Sequence, residues 1–202
     1  MKAIVGVARW LISVLFLLRR RMGVRHRTCF FSRQASRLTP DFALLQQQLR
    51  EADPTMDIVT ICCRYRGRQD GLLRFLRQCV RSVFLAASAQ VCVLDGYWPT
   101  ICLLRDKRDL RVIQIWHSVG KIKKSGYQTL DKPSGRSGAM ARALCMHRNY
   151  DAIIAGGPAW NQMSEAGVQA FTWYDGEFRD EDFGHLTCDM RIWCVHLHET
   201  ED

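Results

Sequence analysis

The segment WHSVGKIKKSG, residues 116–126, gathers one histidine, two glycines and three lysines around the end of an apolar run. Gly120 and Gly126 allow tight turns and close approach of the backbone to a ligand. Lys121, Lys123 and Lys124 are point charges suited to phosphate. A histidine titrating near neutral pH beside such lysines has the chemistry of a general base that deprotonates a hydroxyl attacking phosphorus. The plain alternative is a histidine at the edge of the core, satisfied by backbone groups, followed by a solvated basic loop. Three other groups stand at comparable places, each at the end of a short apolar run: Ser32-Arg33-Gln34, Asp95-Gly96-Tyr97 and Gly156-Gly157.

Such groups act together only if the chain brings the ends of those runs to one edge. The pattern predicts that it does. Strands are expected at 28–32, 57–63, 90–94, 111–116 and 151–155. Helices are expected at about 39–50, 72–87, from Pro99, over 138–147 and from Pro158 to about 166. Thr39-Pro40-Asp41 is a helix start with a capping hydroxyl, a proline in the first turn and an acid near the positive helix end. The alternation implies an α/β fold, a parallel sheet with helices on both faces. The strands are apolar along their length, as doubly covered strands must be. Ligands of such sheets bind at the carboxyl ends of the strands, so the four groups are expected on one rim. Neither GxGxxG nor GxxxxGK[ST] occurs, which argues against nucleotide sites of those two designs.

The chain of 202 residues carries a net charge of +9, unevenly spread. Residues 1–174 hold +16 and residues 175–202 hold −7. A basic body calls for an anionic partner. Nine cysteines, most within apolar runs and none in a CxxC pair, read as buried free thiols. Cys188, Cys194, His196 and His198 match no common zinc spacing, and no metal is assigned.

Residues 1–22 are predicted to form an amphipathic helix. Its uncharged, mostly apolar run, Trp10 to Leu18, is too short to span a bilayer. Lys2, Gly6, Arg9, Ser13 and Arg20 draw a narrow polar stripe along an apolar cylinder. Such a helix is expected to lie in a membrane interface, with Trp10, Phe16, Arg19, Arg20 and Arg21 in contact with the anionic surface. The alternative is a helix docked on the chain's own core or on a partner subunit.

IQIWHSVGKIKKSGYQT, followed by MHRNYDAIIAGG at 146–157, resembles the CDP-glycerol glycerophosphotransferase family of teichoic acid synthesis. FFSRQASRLTPDF at 30–42 and VCVLDGYWP at 91–99 are similar to its first strand-turn-helix and its Asp-centred third strand end. The resemblance covers roughly residues 27–165, and Ser118 stands where the family has glycine or alanine. It implies the N-terminal half of a two-domain GT-B fold. It also implies transfer of glycerol phosphate from CDP-glycerol to a lipid-linked polyol-phosphate or sugar acceptor, with release of CMP.

By the resemblance, His117 is the catalytic base. Gly120, Lys123, Lys124, Asp95, Ser32 and Arg33 bind substrate, and no cofactor is needed. The implied location is peripheral, on the cytoplasmic face of the bacterial membrane. The expected organisation is a membrane-associating helix at 1–26, a Rossmann-like acceptor-side domain at 27–167 and an acidic tail at 168–202. About 35 residues follow the matching region, too few for a donor-binding domain with its own core. The chain is therefore expected to be a truncated member. Two other classes stay open: a non-catalytic membrane-associated domain and a basic nucleic-acid-binding domain. The second is ranked last, because it calls for aromatic residues interleaved with the basic ones on an exposed surface.

Overall fold

The computed structural model describes residues 2–65, 71–115, 131 and 137–154. Five parallel strands carry the fold: β1 (Arg27–Ser32), β2 (Asp57–Cys62), β3 (Val91–Leu94), β4 (Arg111–Ile115) and β5 (Ala152–Ile154). Their order across the sheet is β2-β1-β3-β4-β5. The helices are α1 (Lys2–Arg21), α2 (Pro40–Ala52), α3 (Leu72–Ala87), α4 (Pro99–Leu103) and α5 (Gly138–Ala143). Thr39 caps α2, its hydroxyl accepting the Phe42 amide hydrogen at 3.4 Å. Pro40 opens the helix, where its missing N–H costs nothing.

Neighbouring residues of β1 feed opposite layers. Phe30 packs with Phe42 and Leu45 of α2, its ring edge-on to Phe42 at 5.1 Å. Cys29 and Phe31 face the other way, into the core that α1, α3 and α4 cover. Both faces of the sheet are thus dry, which explains why its strands lack polar alternation. Burial pushes the thiols of Cys29 and Cys79 up to about 12 and that of Cys102 to about 11. These cysteines behave as small apolar groups.

Two sequence expectations differ from the structure. The helix expected over 138–147 stops at Ala143. Beyond it Cys145, His147 and Asn149 all take positive φ, which no α-helix tolerates. The turns they make deliver the Asn149 amide to the carbonyls of Ile101 and Leu104, at 2.8 and 2.9 Å, where it closes the end of α4. The helix expected from Pro158 lies outside the described residues.

The second difference concerns α1. Its polar stripe faces the protein. The Arg9 Nε donates to the Leu103 carbonyl at 3.2 Å, and the Ser13 hydroxyl accepts the Arg105 amide at 3.0 Å. Arg20 is only 7% exposed; its Nη1 donates to the Ala89 carbonyl at 2.9 Å and more weakly to those of Ala86 and Ala87. Its Nε and Nη2 hold Asp109 at 2.8 and 2.7 Å. A cation here satisfies the carbonyls that the end of α3 leaves open and sits at the negative pole of that helix. Phe16, on the same side, is fully buried. Phe16 and Arg20 are therefore core contacts, not lipid contacts, whereas Trp10 and Arg21 are exposed and Arg19 is half-buried.

Candidate active site

The strand order reverses between β1 and β3: the chain leaves β1 for β2 on one side and returns to β3 on the other. The carboxyl ends of strands that flank such a reversal are the usual ligand position in an open parallel sheet. Ser32-Arg33-Gln34 leaves β1 there, and Asp95-Gly96-Tyr97 leaves β3. The structure thus brings together three residues singled out in the sequence: Ser32, Arg33 and Asp95.

Direct bonds tie the two loops. The Asp95 carboxylate, 3% exposed, accepts the Arg33 backbone N–H at 3.2 Å. Ser32 accepts the Ala35 amide on its hydroxyl at 3.3 Å, and its carbonyl accepts the Cys63 amide at 2.9 Å. That joins the β1 turn to the end of β2. Gly96 permits the approach: a Cβ there would sit 3.0 Å from the Gln34 side-chain nitrogen. The Arg33 guanidinium lies over the Tyr97 ring, 5.2 Å from its centre. An arginine so seated is pre-oriented at the rim.

Behind the rim the support is rigid. Tyr97 is buried and its hydroxyl donates to the Leu144 carbonyl at 3.2 Å. Trp98, fully buried against Phe31, donates its indole N–H to the Ser82 hydroxyl at 2.8 Å. Ser82 donates its own proton to the Cys79 carbonyl at 2.7 Å, leaving Thr100 to donate to Ser82. This chain of bonds locks α3 to the start of α4, and with it the loop that carries Asp95. Burial raises the Cys62 thiol, and the nearby Asp95 charge raises it further. A thiol so perturbed at this rim stays protonated and is a poor nucleophile.

Register places β4 in the same array: Leu94 pairs with Gln114, so Ile115 runs level with Asp95. The chain leaves β4 two residues before His117. His117, Gly120, Lys123, Lys124, Gly156 and Gly157 lie outside the described residues.

Sequence reasoning passed over three residues here. Gln34 and Tyr97 were noted only as neighbours of Arg33 and Asp95; their contacts between the two loops come from the tertiary fold. Gln114 left a clearer signal, one amide inside the apolar run VIQIW. It is 2% exposed, and its side-chain oxygen is buried with no hydrogen-bond partner among the described residues. A polar group so placed near a rim costs stability unless a ligand or loop engages it.

The family model for CDP-glycerol:poly(glycerophosphate) glycerophosphotransferase matches residues 14–178. The chain is 28% identical over 162 residues to a teichoic acid ribitol-phosphate primase of Bacillus spizizenii, covering 78% of this chain and 39% of that protein. It is 31% identical over 68 residues to a teichoic acid poly(ribitol-phosphate) polymerase of the same organism, covering 34% of this chain and 10% of the polymerase. A teichoic acid glycerol-phosphate primase of Bacillus subtilis is 23% identical over 77 residues, 38% of this chain and 20% of the primase. The chain thus spans well under half the length of these relatives.

Proposed function

The chain belongs to the CDP-glycerol:poly(glycerophosphate) glycerophosphotransferase family, and from that membership we propose that residues 27–167 form the acceptor-side half of a polyol-phosphate transferase of teichoic acid synthesis. The donor is a CDP-polyol, CDP-glycerol by the family's description and a ribitol counterpart by the name of the primase relative. The acceptor is a lipid-linked polyol phosphate at the cytoplasmic face of the membrane. The acceptor hydroxyl attacks the phosphorus bonded to the polyol. A new P–O bond forms, the bond to CMP breaks, and the hydroxyl proton passes to His117. Lys123 and Lys124 offset charge on the phosphate, and Arg33, held over Tyr97, receives an anionic group of the acceptor. The nucleotide is held by a further domain of the family.

The observation that carries the reading is the tie between Arg33 and the Asp95 loop at the point where the strand order reverses. Its test is CMP release from CDP-glycerol and CDP-ribitol in the presence of a lipid-linked polyol-phosphate acceptor. The 202-residue chain, which spans 39% of the ribitol-phosphate primase, is expected to release none by itself. A protein that joins it to a donor-binding domain is expected to turn over, with His117→Ala lowering the rate by about 100-fold or more. Turnover by the chain alone would overturn the half-site reading, and near-normal turnover by the alanine variant would remove His117 from the chemistry.

A further inference from the structure

Arginines gather at one corner of the carboxyl edge, over β1, β2 and the entry to α2. Arg33 leaves β1 and lies over the Tyr97 ring. The Cys63 amide donates to the Ser32 carbonyl at 2.9 Å, one rung past the last paired residues of β1 and β2. Arg33 and Arg64 therefore leave the sheet side by side, on strands about 4.8 Å apart. The side that Arg64 takes follows from its own strand. Ile61 and Cys63 belong to the core that α3 covers, whereas Thr60 accepts a hydrogen bond from Gln46 of α2 at 2.8 Å. The period of two puts Arg64 in the row of Thr60, on the α2 side of the sheet. Arg37 stands on that side too, just before the Thr39 cap of α2, the helix whose Phe42 packs on Phe30 of β1. Both Arg37 and Arg64 are exposed.

Charge decides what such a corner meets. The amino-terminal edge neutralises its cations: Arg20 with Asp109, Arg27 with Asp57 and Lys107 with Asp151. At the carboxyl corner the nearby acids serve the fold. Asp95 is buried and accepts the Arg33 amide, and Asp41 sits in the first turn of α2, at the positive end of that helix. Among the described residues no carboxylate lies within ion-pair reach of Arg37 or Arg64. Open cations at one corner raise its potential together, which favours a ligand with several negative charges over one with a single charge. The layout also has a direction. In the order β2-β1-β3-β4-β5 the arginines run from β1 to β2, away from the end of β4 that leads to His117. A polyol-phosphate chain whose terminal hydroxyl lies toward β4 would trail its earlier phosphates over Arg33 toward Arg64 and Arg37. Single-stranded nucleic acid suits the corner less, because its bases stack on exposed rings. Phe30, Phe31, Phe42, Tyr97 and Trp98 are buried here, and Tyr65 is stacked on Phe75 with ring centres 4.4 Å apart.

We propose that Arg37 and Arg64 extend the Arg33 seat into a track for phosphodiesters already present in the acceptor. The corner then prefers an acceptor that carries a run of polyol phosphates to one that carries a single phosphate, as elongation requires and priming does not. The inference rests on the transferase reading above and names the acceptor class for the same site.

The test is binding of the full chain to a short synthetic poly(glycerol phosphate), compared with monomeric glycerol phosphate. The wild type is expected to bind the oligomer more tightly by about tenfold or more, and added salt should shrink the difference. Arg37→Gln/Arg64→Gln should weaken oligomer binding by about tenfold, roughly threefold per arginine, and so abolish the preference. Arg77→Gln/Arg81→Gln on α3 removes the same charge elsewhere and should keep it. All four side chains are exposed, so both variants should retain the wild-type circular dichroism and melting. Equal affinity of the wild type for oligomer and monomer would overturn the proposal. So would an equal loss in the two variants, which would mean diffuse attraction, or tighter binding of single-stranded DNA of matched charge, which would mean a nucleic-acid surface. Because binding is read without turnover, the expected pattern in a protein that never releases CMP would support the track and count against the transfer reading alone.

Discussion

The two ends of the sheet use their polar residues differently. At the amino-terminal edge, charged side chains pair with one another across strands. Arg27 on β1 grips Asp57, its register partner on β2, at 2.6 and 2.8 Å and reaches Ser88 at 2.9 Å. His26 lies between the Asp53 carboxylate and the Gln90 side-chain oxygen. Asp151, before β5, holds Lys107 at 2.6 Å and accepts the Val112 amide of β4 at 2.7 Å. At the carboxyl edge Asp95 accepts a backbone N–H, and Arg33 rests on an aromatic face. One edge spends charge on joining strands; at the other, a backbone N–H and an aromatic ring are among the groups that hold the charged side chains. The difference separates the part that keeps the sheet together from the part suited to a ligand.

The comparison breaks if substitutions at the two edges behave alike. The largest expected effect is Arg33→Ala in a turnover-competent protein. Losing a charged hydrogen bond to an acceptor anion should lower kcat/KM by about ten- to 100-fold, with unfolding free energy changed by less than about 1 kcal/mol. A large loss of stability with unchanged kcat/KM would move Arg33 to the structural side.

Next comes Asp151→Ala at the opposite edge. It removes the partner of Lys107 and the acceptor of the Val112 amide, and should cost about 2 kcal/mol in chemical denaturation. Turnover per folded molecule should stay at the wild-type level.

The smallest effect is the pH response of His26. Hydrogen bonds to Asp53 and then Gln90 raise its pKa above 6.5. Its contribution to stability is therefore full below pH 6.5 and disappears as pH climbs through the raised value. Asp53 is lowered from 3.8 to about 2, chiefly by bonds from Thr55 and His26. Its contribution is full above pH 3.8 and is lost as pH falls toward about 2. The latch is thus strongest between pH 3.8 and 6.5. The melting difference between wild type and His26→Gln should shrink steadily above pH 6.5. A difference that grows with pH would mean the imidazole is held neutral.

Much of the frame was legible along the chain because each element obeys a local rule. Doubly covered strands must be apolar, so CFFS, IVTIC, VCVL and VIQI could be placed without partners. Proline and a capping threonine mark α2 whatever lies beyond it. α3 shows the helical period so clearly that its expected bounds, 72–87, match the structure. The rim followed from the same reading, since alternating strands and helices force parallel strands whose ends share one edge. The end of α5 was hidden because nothing local stops a helix at Ala143. The stop comes from Asn149 reaching the carbonyls of α4, more than forty residues earlier.

The orientation of α1 shows where local rules end. Its sequence determined a helix, a narrow polar stripe and a wide apolar surface, because those depend only on residue type and a period of 3.6. Which side faces inward was a tertiary decision. The ends of α3 and α4 present open carbonyls, and a buried guanidinium satisfies them better than a leucine can. The hydrogen-bonding needs of other helices turned the arginines in and left the leucines outside, and no pattern within residues 2–21 carries that information.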